Sequence, residues 1–198
     1  MPAGHASPLH AALREATRAA HHRLDHHPLL APLARPDLNP AQYGRALLGF
    51  HGLHARLEPV ILAGLARHGL DFDYAARGKL DRLREDLATL GLAAPDTMVE
   101  LVDPDSPGAV IGLLYTVEGS TLGGRFLARR IAERPGPALP LRYLSGYGDA
   151  TEQHWQAFWK FADAQQSPGI EADAVAAAGA TFSAFAAFLD RLEATPGR

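Results

Sequence analysis

The sequence of 198 residues contains no cysteine, and methionine and tryptophan occur only twice each. Without cysteine there are no disulfide bonds, thiolate-ligated metals or cysteine nucleophiles, so any chemistry falls to histidine, carboxylate and backbone groups. This composition fits a reducing compartment. No stretch reaches about 18 consecutive uncharged apolar residues, and no basic segment followed by an apolar run opens the chain. We therefore expect a cytoplasmic protein without a membrane span or a signal peptide.

An excess of charge of one sign is also lacking. The 19 lysines and arginines nearly balance the 22 acidic residues, which leaves a formal charge of −3 and gives no indication of a nucleic-acid partner. Apolar residues make up 47% of the chain, enough for a substantial core and too many for a disordered protein. We expect one domain over residues 1–198, with flexible ends at about residues 1–7 and 195–198.

The boundary signals of this sequence are those of helices. A capping residue followed by proline in the first turn occurs at Ser7-Pro8, Asn39-Pro40 and Ser106-Pro107. Asp149 and Glu152 have the spacing of a capping box, and Gly69 and Gly91 are placed as C-terminal glycines. No segment of useful length alternates apolar and polar residues with period two. We predict an all-α bundle with helices over residues 8–25, 40–67, 72–90, 107–133, 149–166 and 170–194.

The first predicted helix carries a histidine with two charged neighbours. At about 100° per residue, its apolar stripe consists of Leu9, Leu13, Ala16, Ala20 and Leu24. His21 lies at the edge of this stripe, whereas His22 points almost opposite, towards water. Arg14 lies two turns before His21 and Asp25 one turn after it, on nearly the same line. An imidazole between a cation and a carboxylate is either a structural residue or a ligand of a bound group.

Other histidine arrangements give weaker signals. Most of the ten histidines are expected to be solvated surface residues. His22 and His26 form an HxxxH pair, but no third or fourth metal ligand occurs at a recognisable spacing. His54 and Glu58 lie one turn apart without a matching set of ligands. The Glu-x-x-His spacing that di-iron centres use in helical bundles is absent.

The predicted helix over residues 107–133 contains three interior glycines, at positions 119, 123 and 124. Each costs about 1 kcal/mol relative to alanine, so something must require a bare backbone there. Gly119 and Gly123 share one face of the helix, with Phe126 beside them. One interpretation is a close contact with another helix. The other is a flat ligand against the backbone, with the glycines allowing a kink. A dinucleotide or Walker site is not supported, because the run follows no strand and has neither glycine pattern.

These two segments together resemble the haem oxygenase family. Residues 13–21, LREATRAAH, are similar to the family's proximal-helix motif, and residues 118–124, EGSTLGG, are similar to the distal helix of its bacterial members. A weaker similarity continues through Thr181, Phe182 and Phe185. The resemblance covers most of the chain and implies an all-α, single-domain fold, in which haem lies between a proximal N-terminal helix and a glycine-kinked distal helix.

The resemblance assigns residues to the haem site. His21 matches the axial ligand of the haem iron, and Asp25 the carboxylate behind it. Arg14 matches a basic residue that contacts a propionate, and Arg125, Arg129, Arg130, Lys160 and Arg191 are further candidates for propionate contacts. The distal residues Gly119, Ser120 and Gly123 form the predicted catalytic surface. The remaining members of the haem-binding set are Thr17, Tyr115 and Phe126.

The resemblance also implies an activity. Haem b is then both cofactor and substrate, and dioxygen with an external electron donor opens it to biliverdin, carbon monoxide and ferrous iron. The donor is expected to be ferredoxin- or flavodoxin-like, and a bacterial phytochrome is a possible biliverdin acceptor. One departure concerns position 120, where mammalian members carry an aspartate. Ser120, water and backbone groups would have to form the proton path here, as in bacterial relatives that also lack the acid.

Two other functions fit the same residues. A haem-binding or carrier protein would use the same pocket without turnover. A non-haem di-iron oxidase on a related helical scaffold is the less favoured alternative, since its ligand pattern is absent.

Overall fold

The computed structural model describes residues 7–165 and 168–194, and regular structure within these ranges is entirely helical. This confirms the all-α prediction. The helices are α1 (Pro8–Asp25), α2 (Pro40–Arg67), α3 (Leu80–Thr89), α4 (Pro107–Glu133), α5 (Thr151–Ala164) and α6 (Ile170–Ala194). Short 3₁₀ turns occur at Ala31–Ala34, Ala75–Arg77 and Gly148–Ala150. The predicted flexible ends lie outside the described residues, apart from Ser7.

Four of the six helices have the bounds predicted from the sequence, and three of these four begin at a local side-chain cap. The Ser7 hydroxyl accepts the His10 N–H at 3.3 Å. The Asn39 side chain and Gln42 form a full capping box at the start of α2. The Ser106 hydroxyl accepts from the N–H of Ala109 at the start of α4. Each side chain satisfies an N–H group that the first turn leaves without a partner.

The predicted start of the third helix is wrong. A helix was expected over residues 72–90, but α3 begins at Leu80, after the 3₁₀ turn at Ala75–Arg77. The N-cap residue, Lys79, makes no side-chain cap. Instead Glu58 of α2 accepts the N–H groups of Lys79 and Leu80 at 2.7 and 3.1 Å. The cap comes from another helix, so no local pattern marks the boundary.

The predicted start of the fifth helix is also wrong. The expected capping box between Asp149 and Glu152 does not form, and α5 begins at Thr151 with Ala150 as an N-cap without a side-chain bond. Asp149 instead forms an ion pair with Arg125 of α4 at 2.7 Å. The described part of the helix ends at Ala164 rather than at residue 166.

Helix α6 packs against α4 more extensively than any other two helices pack together, and α1 lies against α6 as well. Two glycines of α4 make this approach possible. A Cβ at Gly108 would lie 2.6 Å from the backbone oxygen of Ile170, and a Cβ at Gly112 would overlap the backbone oxygen of Ala174. Bare backbone is therefore a packing requirement at this end of α4.

By length and apolar composition alone, α6 would be able to cross a membrane. In the structure one of its faces is buried against α1 and α4, as in a core helix of a bundle. Residues along this face include Ala174, Ala178, Thr181 and Phe185. Their packing accounts for the apolar character of the helix.

Candidate active site

A cavity of about 610 Å³ lies among α1, α2, α4, α5, α6 and the segment 141–147. Its size is in the range of small-molecule and cofactor sites. Most of its wall is apolar, and the polar groups come from a small number of side chains. The last-helix residues Thr181, Phe182 and Phe185 all belong to the wall.

Helix α1 contributes His21 and Asp25 to the cavity wall. The His21 side chain is 57% exposed, and its Nδ1 lies 3.3 Å from the Asp25 carboxylate. With Nδ1–H donating to Asp25, the lone pair of Nε2 is available for a metal ion. His22 is outside the wall and stacks on His26 with ring centroids 4.2 Å apart. The structure therefore separates the two histidines as the helical wheel predicts.

Helix α4 contributes bare backbone to the wall at Gly119 and Gly123. A Cβ at Gly123 would meet nothing within 4 Å, and one at Gly119 would make only ordinary contact with the ring of Trp155 at 3.8 Å. The interpretation of these two glycines as a close helix–helix contact is therefore wrong. Helix α4 continues through both positions without interruption. The space above them is available to a ligand, as a flat group lying against the helix requires.

Ser120 also lies in the wall, between these glycines. Its hydroxyl donates to the backbone oxygen of Val117 at 2.8 Å. The serine can then accept a hydrogen bond from the cavity but has no second proton to donate.

The remaining predicted residues are only partly brought together. Tyr115 and Phe126 line the cavity, and Phe126 is 59% exposed at its edge. Thr17 is buried behind the wall, where its hydroxyl donates to the Leu13 oxygen and lies 3.4 Å from the Tyr115 hydroxyl. Arg14 does not line the cavity. Two turns of α1 away from His21, it lies in a separate shallow cleft with His10.

The other basic residues considered as propionate partners are outside the cavity wall as well. Arg125 pairs with Asp149, and Arg130 lies over the Phe126 ring at 5.7 Å. Of the described lysines and arginines, Lys79 is the one that lines the cavity. Its side chain is buried, and Nζ donates to the Val117 oxygen at 3.3 Å. Burial lowers the pKa of Lys79 to about 8, against the opposing effect of Glu118 and Glu58.

A buried polar relay that the sequence did not reveal extends inward from the cavity. Tyr143 and His54 both line the wall. The Tyr143 hydroxyl lies 3.3 Å from His54 Nε2, and His54 Nδ1 lies 2.9 Å from Glu58. Burial lowers the pKa of His54 and outweighs the hydrogen bond to Glu58, so the imidazole is neutral at pH 7. The consistent assignment is Nδ1–H donating to Glu58 and Nε2 accepting from Tyr143.

The signal for this relay was present in the sequence as the one-turn spacing of His54 and Glu58. That pair was weighed only as a metal site, and Tyr143 is too distant in sequence to be connected with it. Among the residues that the structure describes, no group of three or more histidines and carboxylates could hold a metal ion. A di-iron centre built from these side chains is therefore not supported.

A cluster of charged and polar residues stabilises the half of α4 that lines the cavity, here called the cavity half. Glu118, which is almost fully buried, pairs with Arg77 at 3.1 Å and accepts a hydrogen bond from the Tyr147 hydroxyl at 2.9 Å. Arg77 also donates to the backbone oxygen of His154. Burial, reinforced by the neighbouring Glu118, raises the pKa of Tyr147 well above its usual value, so this phenol remains a donor. The cluster fixes the orientation of the helix turn that carries Gly119.

Comparisons with known proteins agree with this site. The family model described as "Heme oxygenase" matches residues 7–191. A curated protein of Xanthomonas campestris pv. campestris (strain 8004), named heme oxygenase, is 32% identical over 162 residues, covering 79% of this chain and 94% of that protein. The chain belongs to the haem oxygenase family. The resemblance found in the two sequence motifs is confirmed, and membership makes the protein a haem-degrading oxidoreductase.

Solved haem oxygenase structures share the fold. The NO- and CO-bound heme oxygenase of Neisseria meningitidis has a TM-score of 0.73 at 22% identity, covering 94% of this chain and 92% of that one. The Leptospira interrogans enzyme also gives 0.73, at 14% identity, covering 93% and 100%. Heme oxygenase-1 of the cyanobacterium Synechocystis, in complex with heme, gives 0.68 at 12% identity, covering 94% and 93%. At these identities the likeness shows the fold alone.

Proposed function

We propose that this haem oxygenase binds haem b in the cavity through His21 and opens it, with dioxygen and external electrons, to biliverdin, carbon monoxide and ferrous iron. The observation that carries the proposal is one cavity with two matched features. Its wall contains an imidazole whose Nε2 has no hydrogen bond to the described residues, and it contains helix backbone at Gly119 and Gly123, where an added Cβ would meet no close contact. When bound, haem supplies the site of dioxygen reduction and the carbon that is oxidised.

The α1 side of the proposed site is the ligand side. Asp25 accepts from Nδ1–H of His21 and so fixes the tautomer and the direction of the ring. The ring of Phe182, with its centroid 5.7 Å from that of His21, limits rotation of the imidazole. A neutral histidine ligand donates less electron density to iron than a thiolate would, which disfavours early O–O cleavage.

The α4 side is the proposed oxygen side. Gly119 and Gly123 let the macrocycle approach the helix, and the helix then restricts how a bound diatomic ligand tilts. Ser120 offers an acceptor but no spare proton. We infer that Tyr143 and His54 order water on this side and return protons to it, in place of the carboxylic acid missing at position 120. Glu58 keeps His54 in the tautomer that accepts from Tyr143.

The test of iron ligation is a haemin titration of the wild type beside His21→Ala and His22→Ala. The two variants remove adjacent imidazoles from one helix, so each is the matched control for the other. We expect only His21→Ala to lose the absorption spectrum of a histidine-ligated haem. Loss of that spectrum in His22→Ala alone would contradict the assignment of α1.

The test of turnover adds a reductant and air to the haem-loaded wild type. Loss of the Soret band with growth of a biliverdin spectrum is expected, whereas a stable Soret band would show a haem carrier. Tyr143→Phe removes only the hydroxyl that joins the cavity to His54. We expect it to retain the haem spectrum and to form biliverdin more slowly. Unchanged turnover would eliminate the Tyr143–His54 path.

The finer biological role is proposed on the resemblance to bacterial members. A ferredoxin- or flavodoxin-like protein would supply electrons in the cytoplasm. The products would serve iron release or bilin supply, with a bacterial phytochrome as one acceptor. Arg14 remains the proposed propionate partner, although it lies outside the cavity wall and its side chain would have to extend along α1.

A further inference from the structure

Four aromatic rings form a continuous path from the cavity to the protein surface. Tyr115 and Trp155 line the cavity, with ring centroids 6.2 Å apart. Trp159 lies 5.3 Å from Trp155 and 6.0 Å from Tyr115. His10 of α1 stacks on Trp159 at 4.3 Å. Both tryptophans of the chain belong to this path.

The outer end of the path opens on a cleft in the surface of α1. His10 lines this cleft together with Arg14 and Arg18. Arg18 pairs with Glu15 there, and Arg14 and Asp163 place charges of opposite sign near the His10 ring. The His10 ring is therefore within reach of a small molecule in the cleft.

The two indoles differ in position along the path. Trp155 faces the cavity, whereas the Nε1–H of Trp159 is buried with no acceptor among the described residues. A radical cation on the Trp159 ring would therefore keep its proton, because no group among the described residues accepts a hydrogen bond from its Nε1–H. Returning one electron to such a ring restores the indole without any proton transfer. The oxidised state of Trp159 is thus set up to be reversible.

We propose that Tyr115, Trp155 and Trp159 relay oxidising equivalents out of the haem cavity to the His10 cleft, where a small one-electron reductant of the ascorbate class removes them. The proposal rests on the proposed function, because it requires haem in the cavity. Its value to an oxygenase is protection: an oxidising equivalent that misses its substrate leaves the site before it damages the walls.

The electron balance of the relay is simple. Hydrogen peroxide at the haem is reduced to two waters, with cleavage of its O–O bond and uptake of two protons from solvent and two electrons. Each electron leaves Trp159 through Trp155 or Tyr115 and is replaced from the cleft. Two molecules of the reductant are each oxidised by one electron. Without the reductant, the electron missing from Trp159 remains as damage to that indole.

The same rings also pack against the hydrophobic core, together with Phe158. If packing is their whole role, phenylalanine in place of Trp155 or Tyr115 changes stability but not the place where oxidation appears. The two roles therefore differ in a measurement that does not depend on haem turnover.

The experiment treats haem-loaded protein with equimolar hydrogen peroxide in the absence of a reductant. We expect a tryptophanyl radical in freeze-quenched electron paramagnetic resonance, and oxidised Trp159 in peptide mass spectra. Ascorbate should abolish both. Trp155→Phe and Tyr115→Phe should each lower Trp159 oxidation, and the double variant should reduce it to the level of haem-free protein treated with peroxide. In Trp159→Phe the oxidation should appear at Trp155 and on the haem.

Tyr74→Phe is the matched control. Tyr74 is a buried tyrosine of the same core cluster whose hydroxyl has no partner among the described residues, so its loss should leave the oxidation pattern unchanged. An unchanged Soret band shows that each variant still holds haem. Equal Trp159 oxidation in the double variant and the wild type would overturn the aromatic relay from Tyr115 and Trp155 to Trp159 and leave the proposed function untouched. A wild type that binds no haem would contradict the relay and the proposed function together.

Discussion

The two halves of α4 use the same residue for opposite purposes. At Gly108 and Gly112 the missing side chain lets α6 approach, and a Cβ would overlap its backbone. At Gly119 and Gly123 the missing side chain leaves space that none of the described residues fills closely. A glycine kept for packing raises stability, whereas a glycine kept for a ligand lowers it. Spacing alone does not distinguish these cases, but the position of the missing Cβ does.

Removing the charge that anchors the cavity half should have the largest effect on stability. Glu118→Ala leaves the buried Arg77 without its carboxylate, and loss of one partner of a buried pair costs about 3–5 kcal/mol. Thermal unfolding followed by circular dichroism measures the change. Asp149→Ala, which breaks an exposed ion pair to the same helix, should leave Tm nearly unchanged. Equal stability of the two variants would show that Glu118 does not anchor α4.

Gly112→Ala should destabilise the half of α4 that packs against α6. The new Cβ would meet the backbone oxygen of Ala174 and lie 3.0 Å from the Cβ of Ala177, so α6 must shift. Overpacking of this kind costs about 1–3 kcal/mol, which exceeds the gain in helix propensity. Denaturant unfolding should show the lower midpoint. An increased midpoint would mean that α6 moves freely away from α4.

Gly123→Ala should act in the opposite direction on stability. Its Cβ points into open space, so the free energy of unfolding should rise by up to about 1 kcal/mol through helix propensity. Biliverdin formation should fall, on the order of tenfold, because the methyl group occupies the space proposed for haem and its oxygen ligand. In Gly179→Ala on α6 the new Cβ also points into open space, but it lies outside the cavity. This variant should raise the free energy of unfolding without slowing biliverdin formation. Full activity in Gly123→Ala would show that the ligand does not need the space left by this glycine.

The smallest expected effect is a dependence of folding stability on pH, caused by the buried His54. The pKa of His54 is lowered by burial from its usual 6.5, so below that pH the unfolded chain binds a proton that the folded protein does not. Folding stability is therefore complete above about pH 6.5 and is lost as pH falls below it, by at most about 1.4 kcal/mol per pH unit. His54→Gln should show a shallower loss. His10 and His51, whose pKa values burial also lowers, remain in both proteins. Parallel stability curves would contradict a neutral His54.

The sequence predicted the helices whose ends are set locally. Ser7, Asn39 and Ser106 cap their own first turns, and a pattern of neighbouring residues is enough to find them. The start of α3 was missed because Glu58 supplies its cap from another helix. Contacts of this kind join residues far apart in sequence, and periodicity carries no information about them.

The candidate site also divides into residues that local helix geometry places and residues that contacts distant in sequence place. The face of α1 that carries His21, and the shared face of Gly119 and Gly123, follow from helical geometry and were predicted. Lys79 and Tyr143 enter the cavity from a loop and a turn, where side-chain direction has no period to follow. Family resemblance connected the two predicted faces to haem, and the roles of the individual residues stay predictions for the experiments above.

The position of α6 has a consequence for synthesis of the protein. This helix follows α1 and α4 in the chain, yet it is the principal partner of α4 and also packs against α1. Until α6 has left the ribosome, the face of α4 that carries Gly108 and Gly112 lacks its helix partner. Domains generally complete folding as units. A truncation within α6 should therefore yield an insoluble protein rather than a smaller working one.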